Sequence, residues 1–388
     1  MRRRFFIENG PEDETELSNI DIAAVAGGRE LKEFIEFPYT LYRSDPHWVP
    51  PLRTAVKELL DRKNHAFYFN AEAEFFLARR HGRVAGRIAG IIDRNHNQFH
   101  GENAGFFGFF ESEDDPAVAR ALLTAAREWT FQRGAQVLRG PVNPSTNYEC
   151  GILIEGFDTD PMIMMTYNPA YYPVLMEKAG LQKAKDLYAY GGSAQKLDIT
   201  KIERVASRAL AKNGVRIRPI DMKNFNADVL RIWQIYNSAW TRNWGFVPMS
   251  REEFFRMGKE MKQILKPELV LIGEVKDCVV GFALALPNVN HALKKANGSL
   301  LPTGFLRILY YQRLIKDVRV LALGVTDEYR TSGVAAGFYA TLVRNALRLG
   351  YDGECELSWI LEDNVLMNRS AELMGVKRHK TYRIYEWN

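Results

Sequence analysis

Residues 215–220 alternate apolar and polar positions, the two-residue period of a strand. Residues 227–240 shift to helical spacing, with Val229, Ile232, Trp233, Tyr236 and Trp240 along one face. Ser250 then sits where a cap is needed, and Glu252 and Glu253 behind it favour the positive end of a helix dipole. A helix is predicted from there to near Pro267, with strands over 269–275 and 279–286. After a long insertion come a strand over 319–325, a turn containing glycine, and a helix over about 335–349. A strand over 354–361, a helix over 364–374 and a strand over 381–386 follow. The first half repeats this plan, with Pro116 in the first turn of a helix behind Asp114 and Asp115. Strands alternating with helices predict α/β layering around a mixed sheet.

The two halves match at a nearly constant offset. The strands around Gly86 and Gly281 are 195 residues apart, and so are Gly180 and Gly375, the glycines that end two predicted helices. Each of the latter pair is followed by a tyrosine-bearing strand, with Tyr188 and Tyr190 in one and Tyr382 and Tyr385 in the other. Trp48-Val-Pro50 and Phe246-Val-Pro248 lie 198 apart. Repetition at one offset predicts two copies of one fold. The stretch from Gly191 to Lys196 reads as a short flexible junction. The expected organisation is a flexible segment over 1–20, a first lobe over 21–192, and a second lobe over 193–388 with an insertion at 288–317. Each lobe is long enough for its own core.

Composition narrows the class. Of 388 residues, 46% are hydrophobic and 26% charged, which excludes global disorder. No stretch approaches the ~18 uncharged apolar residues of a membrane span. Met1-Arg-Arg-Arg4 leads to Glu8 and an acidic run instead of the apolar core of a secretory signal. Cys150, Cys278 and Cys355 are far apart with no CxxC, so neither a disulfide framework nor a zinc cluster is expected. The expected compartment is the reducing cytoplasm. A balance of 52 basic against 47 acidic residues leaves +5 without a concentrated basic stripe, which argues against nucleic acid as a partner. The cluster from Lys377 to Lys380 is either a solvated strand edge or a phosphate contact. His96 and His100 have i,i+4 spacing without the glutamate or a third ligand, so no metal is expected.

The segment around Gly333 carries the chemistry. A strand runs into a turn of small residues, Thr331, Ser332, Gly333, Val334 and Ala335, at the start of a helix. Outward-facing N–H groups there would hold pyrophosphate oxygens, aided by the positive dipole end. Gly333 allows close approach, and Arg330 either positions charge or braces the turn. An ordinary β–α turn with one glycine is the plainer reading of the same residues. Taken with the strand order, residues 215–386 resemble the GNAT superfamily of acyl-CoA-dependent acyltransferases. In that family an Arg-x-x-Gly-x-Gly/Ala turn after the fourth strand binds the coenzyme A pyrophosphate, and Arg330, Gly333 and Ala335 match it. The resemblance assigns a cofactor contact to Asn364, eleven residues before Gly375. It implies two tandem GNAT-like lobes, each a mixed, mostly antiparallel sheet flanked by helices. It also implies acyl-CoA as a co-substrate, with no tightly bound cofactor. Two departures stand out. Ala371 occupies the position where the family often has a tyrosine as general acid, and the first lobe has carboxylates from Glu111 to Asp115 where its phosphate turn belongs. Clustered carboxylates repel a pyrophosphate, so the first lobe is expected to lack a coenzyme site.

In the reaction that the resemblance implies, an amine attacks an acyl thioester, a tetrahedral oxyanion forms, and coenzyme A leaves. A free alkylamine has a pKa of about 10, so a base must take its proton. Glu362 and Asp363, at the end of the fifth strand, are the candidates, with Glu356 further back. Glu362 and Asp363 read equally well as caps for the helix at Asn364. Backbone N–H groups from Leu323 to Val325 are expected to hold the oxyanion. Tyr382 is a candidate for the missing acid, against a packing role on a terminal strand.

The insertion bears on the acceptor. A hairpin between Pro287 and Val318 needs only a few residues. This one carries Phe305, Leu306 and Leu309 among Lys294, Lys295, Arg307, Arg313 and Lys316. Apolar residues with basic flanks suit an interfacial membrane helix or a greasy substrate channel, and a lid buried against the first lobe is the alternative. Trp240, Trp244 and Phe246 add apolar surface where the family binds its acceptor. The polar loop from Asn143 to Cys150 either lines an acceptor cleft or forms a structured turn. Both lobes also resemble a group of bacterial tandem-GNAT proteins, among or near which bacterial ceramide synthases fall. The segments from Asp45 to Pro51, from Arg139 to Ser145 and from Asn243 to Pro248 carry this likeness. It implies transfer of a fatty acyl group to a hydrophobic amine, the sphingoid base, and leaves open peripheral contact with the inner face of the cytoplasmic membrane. A tRNA-dependent aminoacyl transferase and a non-catalytic acyl-CoA-binding regulator are the other readings. The former should carry a coiled-coil arm, and no heptads are evident.

Overall fold

In the computed structural model, which describes residues 19–197 and 199–388, the repeat seen in the sequence is a repeat of strand order. Of the N-terminal segment expected over 1–20, residues 1–18 lie outside the described residues, and Ile20 already opens a strand. The chain divides into two units. The first takes in the chain up to Asp186 with Ala296–Pro302 and Tyr382–Asn388, and the second takes in Leu187–Lys295 and Thr303–Thr381.

The first unit is built from β1 (Ile20–Ala24), α1 (Gly28–Leu41), α2 (Arg53–Leu59), β2 (Ala71–Arg80), β3 (Arg83–Asp93), α3 (Arg94–His100), β4 (Ala104–Ser112), α4 (Pro116–Phe131), β5 (Val137–Gly140), β6 (Ile152–Glu155) and α5 (Tyr172–Lys178). Its sheet runs β1–β2–β3–β4–β5, antiparallel except for the parallel pair β4 and β5. On the far side of β5, Tyr385–Trp387 pair antiparallel with Leu138–Gly140. The start of α4 follows from its sequence. Asp115 accepts from the N–H groups of Ala117 at 3.0 Å and Val118 at 3.4 Å, with Pro116 in the first turn; such a cap contributes about 1 kcal/mol. The helix lies close on the sheet because β3 is glycine there, and a Cβ at Gly86 would come within 2.6 Å of Leu122.

The second unit begins within β7 (Gln182–Ser193). It continues through α6 (Thr200–Asn213), β8 (Arg216–Pro219), α7 (Phe225–Ala239), α8 (Arg251–Met261), β9 (Val270–Val275), β10 (Cys278–Pro287), α9 (Asn290–Ala296), α10 (Gly304–Tyr311), β11 (Val318–Val325), α11 (Val334–Arg348), β12 (Glu354–Leu361), α12 (Val365–Leu373) and the start of β13 (Lys377–Trp387). The order β8–β9–β10–β11–β12 repeats that of the first unit, again with only the last pair parallel. One face packs on α11, whose Phe338 is fully buried over Gly273 and Gly281. Burying such a ring stabilises the fold by about 1.5–3 kcal/mol. The other face packs on α7 through Val229, Ile232 and Phe282. Ser250 caps α8 as expected, accepting from Glu253 N–H at 3.1 Å, but the helix ends at Met261, short of Pro267.

The junction requires a correction. Gly191, Gly192 and Ser193 are strand residues, paired with Glu356, Cys355 and Glu354 of β12. Glycine serves there for space, because a Cβ at Gly191 would sit 2.8 Å from His379 Nε2. The α6 helix that follows lies against the start of α11, with Ala209 beside Gly333 and Leu210 beside Gly337.

Candidate active site

β11 and β12 pair over only three residues, Val318, Arg319 and Val320 against Cys355, Glu356 and Leu357. Both strands then run on, to Val325 and Leu361, without pairing to each other. The parting begins at a bulge. Leu284 pairs with Ala322 and Ala285 with Val320, which leaves Leu321 outside the ladder. β10 holds the other edge of β11 as far as Val325. Thr326 N–H bonds Val280 O at 2.9 Å. By the two-residue period of a strand, Leu323 and Val325 therefore turn their N–H groups away from β10 and into the gap. These are the groups expected to hold an oxyanion.

Above the gap the chain turns into α11. Gly333 occupies the N-cap position with φ +85°, a left-handed conformation that favours glycine. Ser332 Oγ accepts from Val334 N–H at a long 3.4 Å. Among the described residues the N–H groups of Thr331, Gly333 and Ala335 have no hydrogen-bond partner. Open donors at the positive end of a 15-residue helix, with no carboxylate at the cap, suit a pyrophosphate. Arg330 braces this turn, since its Nη2 donates to Ala239 O at 2.9 Å and lies 2.9 Å from Asp327 Oδ1. Asn364 caps α12, accepting from Met367 N–H at 3.2 Å. The cap is thus Asn364 itself and not Glu362 or Asp363.

The remaining candidates separate. Trp240 packs edge-on to Tyr236 and Phe282, and a Cβ at Gly324 would lie 3.5 Å from its ring, so it sits against the strand that borders the gap. Phe246 is buried beside Tyr236, a core position, and Trp244 is half-buried in the same loop. Glu362 is half-buried at the end of β12. Tyr382 belongs to the first unit, where it is wholly buried with Gly151 against its Cβ, so the two catalytic candidates fall in different units. Ala371 is buried in the core of the second unit. Between α11 and the sheet lies a small apolar cavity of about 30 Å³, partly open to solvent, lined by Val318, Val320, Leu357, Tyr339, Leu342 and Met374. Val320 and Leu357 are the last paired residues below the gap, so the cavity adjoins the parting of the strands.

A polar row at the foot of the gap was legible in the sequence only at Glu356, the candidate base further back on the strand, and not in its partners. Cys355 and Leu357 face the α11 core, so by alternation Glu356 and Ser358 face the opposite side, that of α7. Glu356 is 0% exposed. Its Oε1 accepts from Ser358 Oγ at 2.5 Å and its Oε2 lies 2.9 Å from His379 Nε2. Arg319 Nε donates to Ser358 Oγ at 2.8 Å. Burial pushes the Glu356 carboxyl up, but the His379 hydrogen bond and the charges of His379 and Arg319 hold it below its ordinary value. For His379 the sequence signal was the cluster from Lys377 to Lys380. It is not a uniformly solvated edge, because Lys380 is buried and Arg378 lies over the Tyr188 ring.

In the insertion, α10 turns apolar side chains to solvent. Phe305, Leu306, Leu309 and Tyr310 are 54%, 64%, 38% and 61% exposed. The His96 and His100 rings lie tilted with centroids 4.4 Å apart, and His96 Nε2 lies 2.6 Å from Glu102, which also takes Arg139. In the loop after β5, Val142 and Asn143 form a small two-stranded pair with Glu149 and Cys150, a structured turn. Among the described residues no helix is long and apolar enough to cross a membrane.

No family model matches the chain. The bacterial ceramide synthase of Caulobacter vibrioides (strain NA1000 / CB15N) is 37% identical over 383 residues, covering 97% of this chain and 99% of its own length. Protein YghO of Escherichia coli (strain K12) is 36% identical over 370 residues, 92% of each chain. Among solved structures, a tandem GNAT protein from the clavulanic acid biosynthesis pathway matches with a TM-score of 0.55 at 11% identity, over 95% of this chain and 98% of its own. That likeness is one of fold.

Proposed function

Because the chain belongs to the family of the bacterial ceramide synthase, a family of GNAT acyltransferases, we propose that it transfers a long-chain acyl group from acyl-CoA to the amine of a sphingoid base. The observation that carries this reading is the gap. β11 and β12 part above three paired residues, N–H groups of Leu323 and Val325 face the opening, and the open donors of the turn from Thr331 to Ala335 stand above it.

In this reading the pyrophosphate rests on the N-terminus of α11, and the pantetheine lies along β11 as a substitute for the missing strand pairing. The thioester oxygen accepts from the Leu323 or Val325 N–H, where charge develops as the amine attacks. The amine approaches from the α7 face, where Trp240 offers an apolar wall. The exposed apolar side of α10, with Arg307 in the helix and Arg313 just beyond it, suits the surface of a bilayer that holds both lipid substrates. A sphingoid base as acceptor is supported by the name of the Caulobacter relative.

The test is thiol release from acyl-CoAs of graded chain length, with sphinganine, 3-ketosphinganine or small polar amines as acceptor and the amide identified by mass spectrometry. Release that requires both a long-chain acyl-CoA and a sphingoid amine is expected. Transfer to small amines alone would remove the lipid acceptor. No release with any pair would remove the transferase reading.

A further inference from the structure

Resting on the reading above, we propose that His379 is the general base that takes the proton of the attacking amine, and that Glu356 is the positioning residue that holds its imidazole. Glu356 pairs with Arg319 across β11 and β12, one residue before that pairing ends, so its carboxylate lies at the foot of the gap. A carboxylate can only accept, so the 2.9 Å contact places the imidazole proton on Nε2 and leaves the Nδ1 lone pair for a substrate proton. Nδ1 has no partner among the described residues, and the side chain is 33% exposed while Glu356 is sealed.

The surroundings hold this arrangement in place. Ser358 Oγ donates to the other carboxylate oxygen and itself accepts from Arg319 Nε, so Glu356 cannot swing away from the imidazole without breaking the Ser358 bond. On the strand between them, Gly191 leaves the space in which the ring lies, and a Cβ there would meet all three of its nearest ring atoms within 3.1 Å. The charged groups around the imidazole are Glu356 and Arg319 from β12 and β11, and Arg378 and Lys380 on its own strand. A buried carboxylate behind an exposed imidazole is the arrangement that orients a base.

The step balances. The amine nitrogen bonds to the thioester carbon as its proton passes to His379 Nδ1. The oxyanion then collapses, the C–S bond breaks, and the thiolate takes the proton from the imidazolium. Amide and neutral thiol leave with the imidazole restored.

The experiment uses the full chain with palmitoyl-CoA and sphinganine, following thiol release and acyl-CoA affinity by calorimetry. His379→Ala is expected to lose at least 100-fold in kcat with acyl-CoA Kd changed less than threefold, and added imidazole should restore part of the rate. His379→Gln keeps the hydrogen bond to Glu356 and serves if the alanine variant melts early; the same loss is expected. Glu356→Gln should lower kcat by roughly tenfold and move the acid limb of the pH–rate profile to lower pH, which loss of packing alone would not do. Gly191→Ala should act in the same direction by displacing the ring. A rate within threefold of wild type in His379→Gln overturns the proposal, as does loss carried by Glu362→Gln instead. Wild-type chain that releases no thiol fails the transferase reading, which is a different outcome from wild-type turnover with His379 dispensable.

Discussion

Both units part their fourth and fifth strands, but only one of the two gaps is open. In the first unit β4 and β5 pair over Ala104–Phe106 and then diverge, as β11 and β12 do after Val320. There Asn143 Oδ1 accepts the Phe109 N–H at 2.6 Å, and the Val142 carbonyl lies so near that a Cβ at Gly108 would stand 1.7 Å from it. The amide of Asn143 does for β4 what an amide of pantetheine would do for β11. The turns differ as well. The first unit joins strand to helix through Glu113, Asp114 and Asp115, whereas the second uses the longer Thr326–Gly333 turn, and Asp115 takes the helix donors that Gly333 leaves open. At the end of β4, half-buried Glu111 lies between the hydroxyls of Tyr42 and Tyr172 at 2.6 and 2.7 Å, with its carboxyl raised by desolvation. The lesson is that divergence alone makes no site. A site needs the parted strands without an internal group to satisfy them.

The largest expected effect comes from giving the second unit the first unit's cap. Gly333→Asp places a carboxylate at the N-cap of α11, to compete for the donors that a pyrophosphate needs. Acyl-CoA affinity by calorimetry should fall at least 100-fold, about 2.7 kcal/mol. Part of any stability loss is local, because the left-handed φ costs an L-residue about 1–2 kcal/mol and the new Cβ would stand 3.1 Å from Ala209. Thr331→Glu, at an exposed position without that strain, separates the two causes. Unchanged affinity in both would remove the turn from the cofactor site.

The next effect is on the lipid side. The connection between β10 and β11 carries two helices where the first unit has only α3 between β3 and β4. Leu306→Asp with Leu309→Asp removes two exposed apolar side chains, so the melting temperature should hold. Each such side chain buried in a partner is worth about 1.5–3 kcal/mol. KM for a long-chain amine should rise by roughly tenfold and sedimentation with anionic vesicles should weaken, while transfer to a short soluble amine persists. Equal loss with both amines would argue against a lipid-facing role.

What could be read from the chain was what local physics decides. The helix start at Pro116, the cap at Ser250, the 195-residue offset and the strand over 354–361 were readable in this way, and they stand in the structure. The turn at Gly333 was legible because its chemistry is contiguous. The rest depends on residues brought together from distant segments. Gly191 looked like a flexible junction because its reason for being glycine, the His379 ring, lies on another strand. His379 itself sat inside a basic cluster whose average looked like a solvated edge, although its partner Glu356 is fully buried. Tyr382 was a reasonable acid until its strand carried it into the first unit's interior. The Asn143 loop gave no sign that one side chain would fill a gap between strands.

That filling makes a prediction of intermediate size. Asn143→Ala removes the acceptor for Phe109 N–H and leaves a buried donor without a partner, at a cost of about 1–3 kcal/mol. For a domain of this size the first unit should melt lower, on the order of 5 °C. Calorimetry should still find one acyl-CoA per chain, because Val142 continues to occupy the space. A second bound acyl-CoA would mean that the amide, and not the backbone beside it, keeps the gap closed.

The smallest effect belongs to the carboxylates that first suggested a repelled cofactor. Unpaired, two charges near a pyrophosphate would matter; at about 4 Å and an effective dielectric near 20, each interaction is roughly 4 kcal/mol. In the structure Asp115 is held by Arg80 and Glu113 by Arg83, so much of that field is already answered within the first unit. If the first unit excludes acyl-CoA, we expect the filled gap and the helix donors already taken to be the cause, with charge a minor part. Asp114→Ser with Asp115→Ser tests this division, since serine still caps a helix and the stability cost should stay near or below 1 kcal/mol. Acyl-CoA affinity should change less than twofold, with a stoichiometry of one per chain. If a second acyl-CoA binds once these charges are gone, repulsion was the barrier and the plug is permissive. If none binds, the first unit is closed by packing, and its parted strands are a structural feature of the repeat.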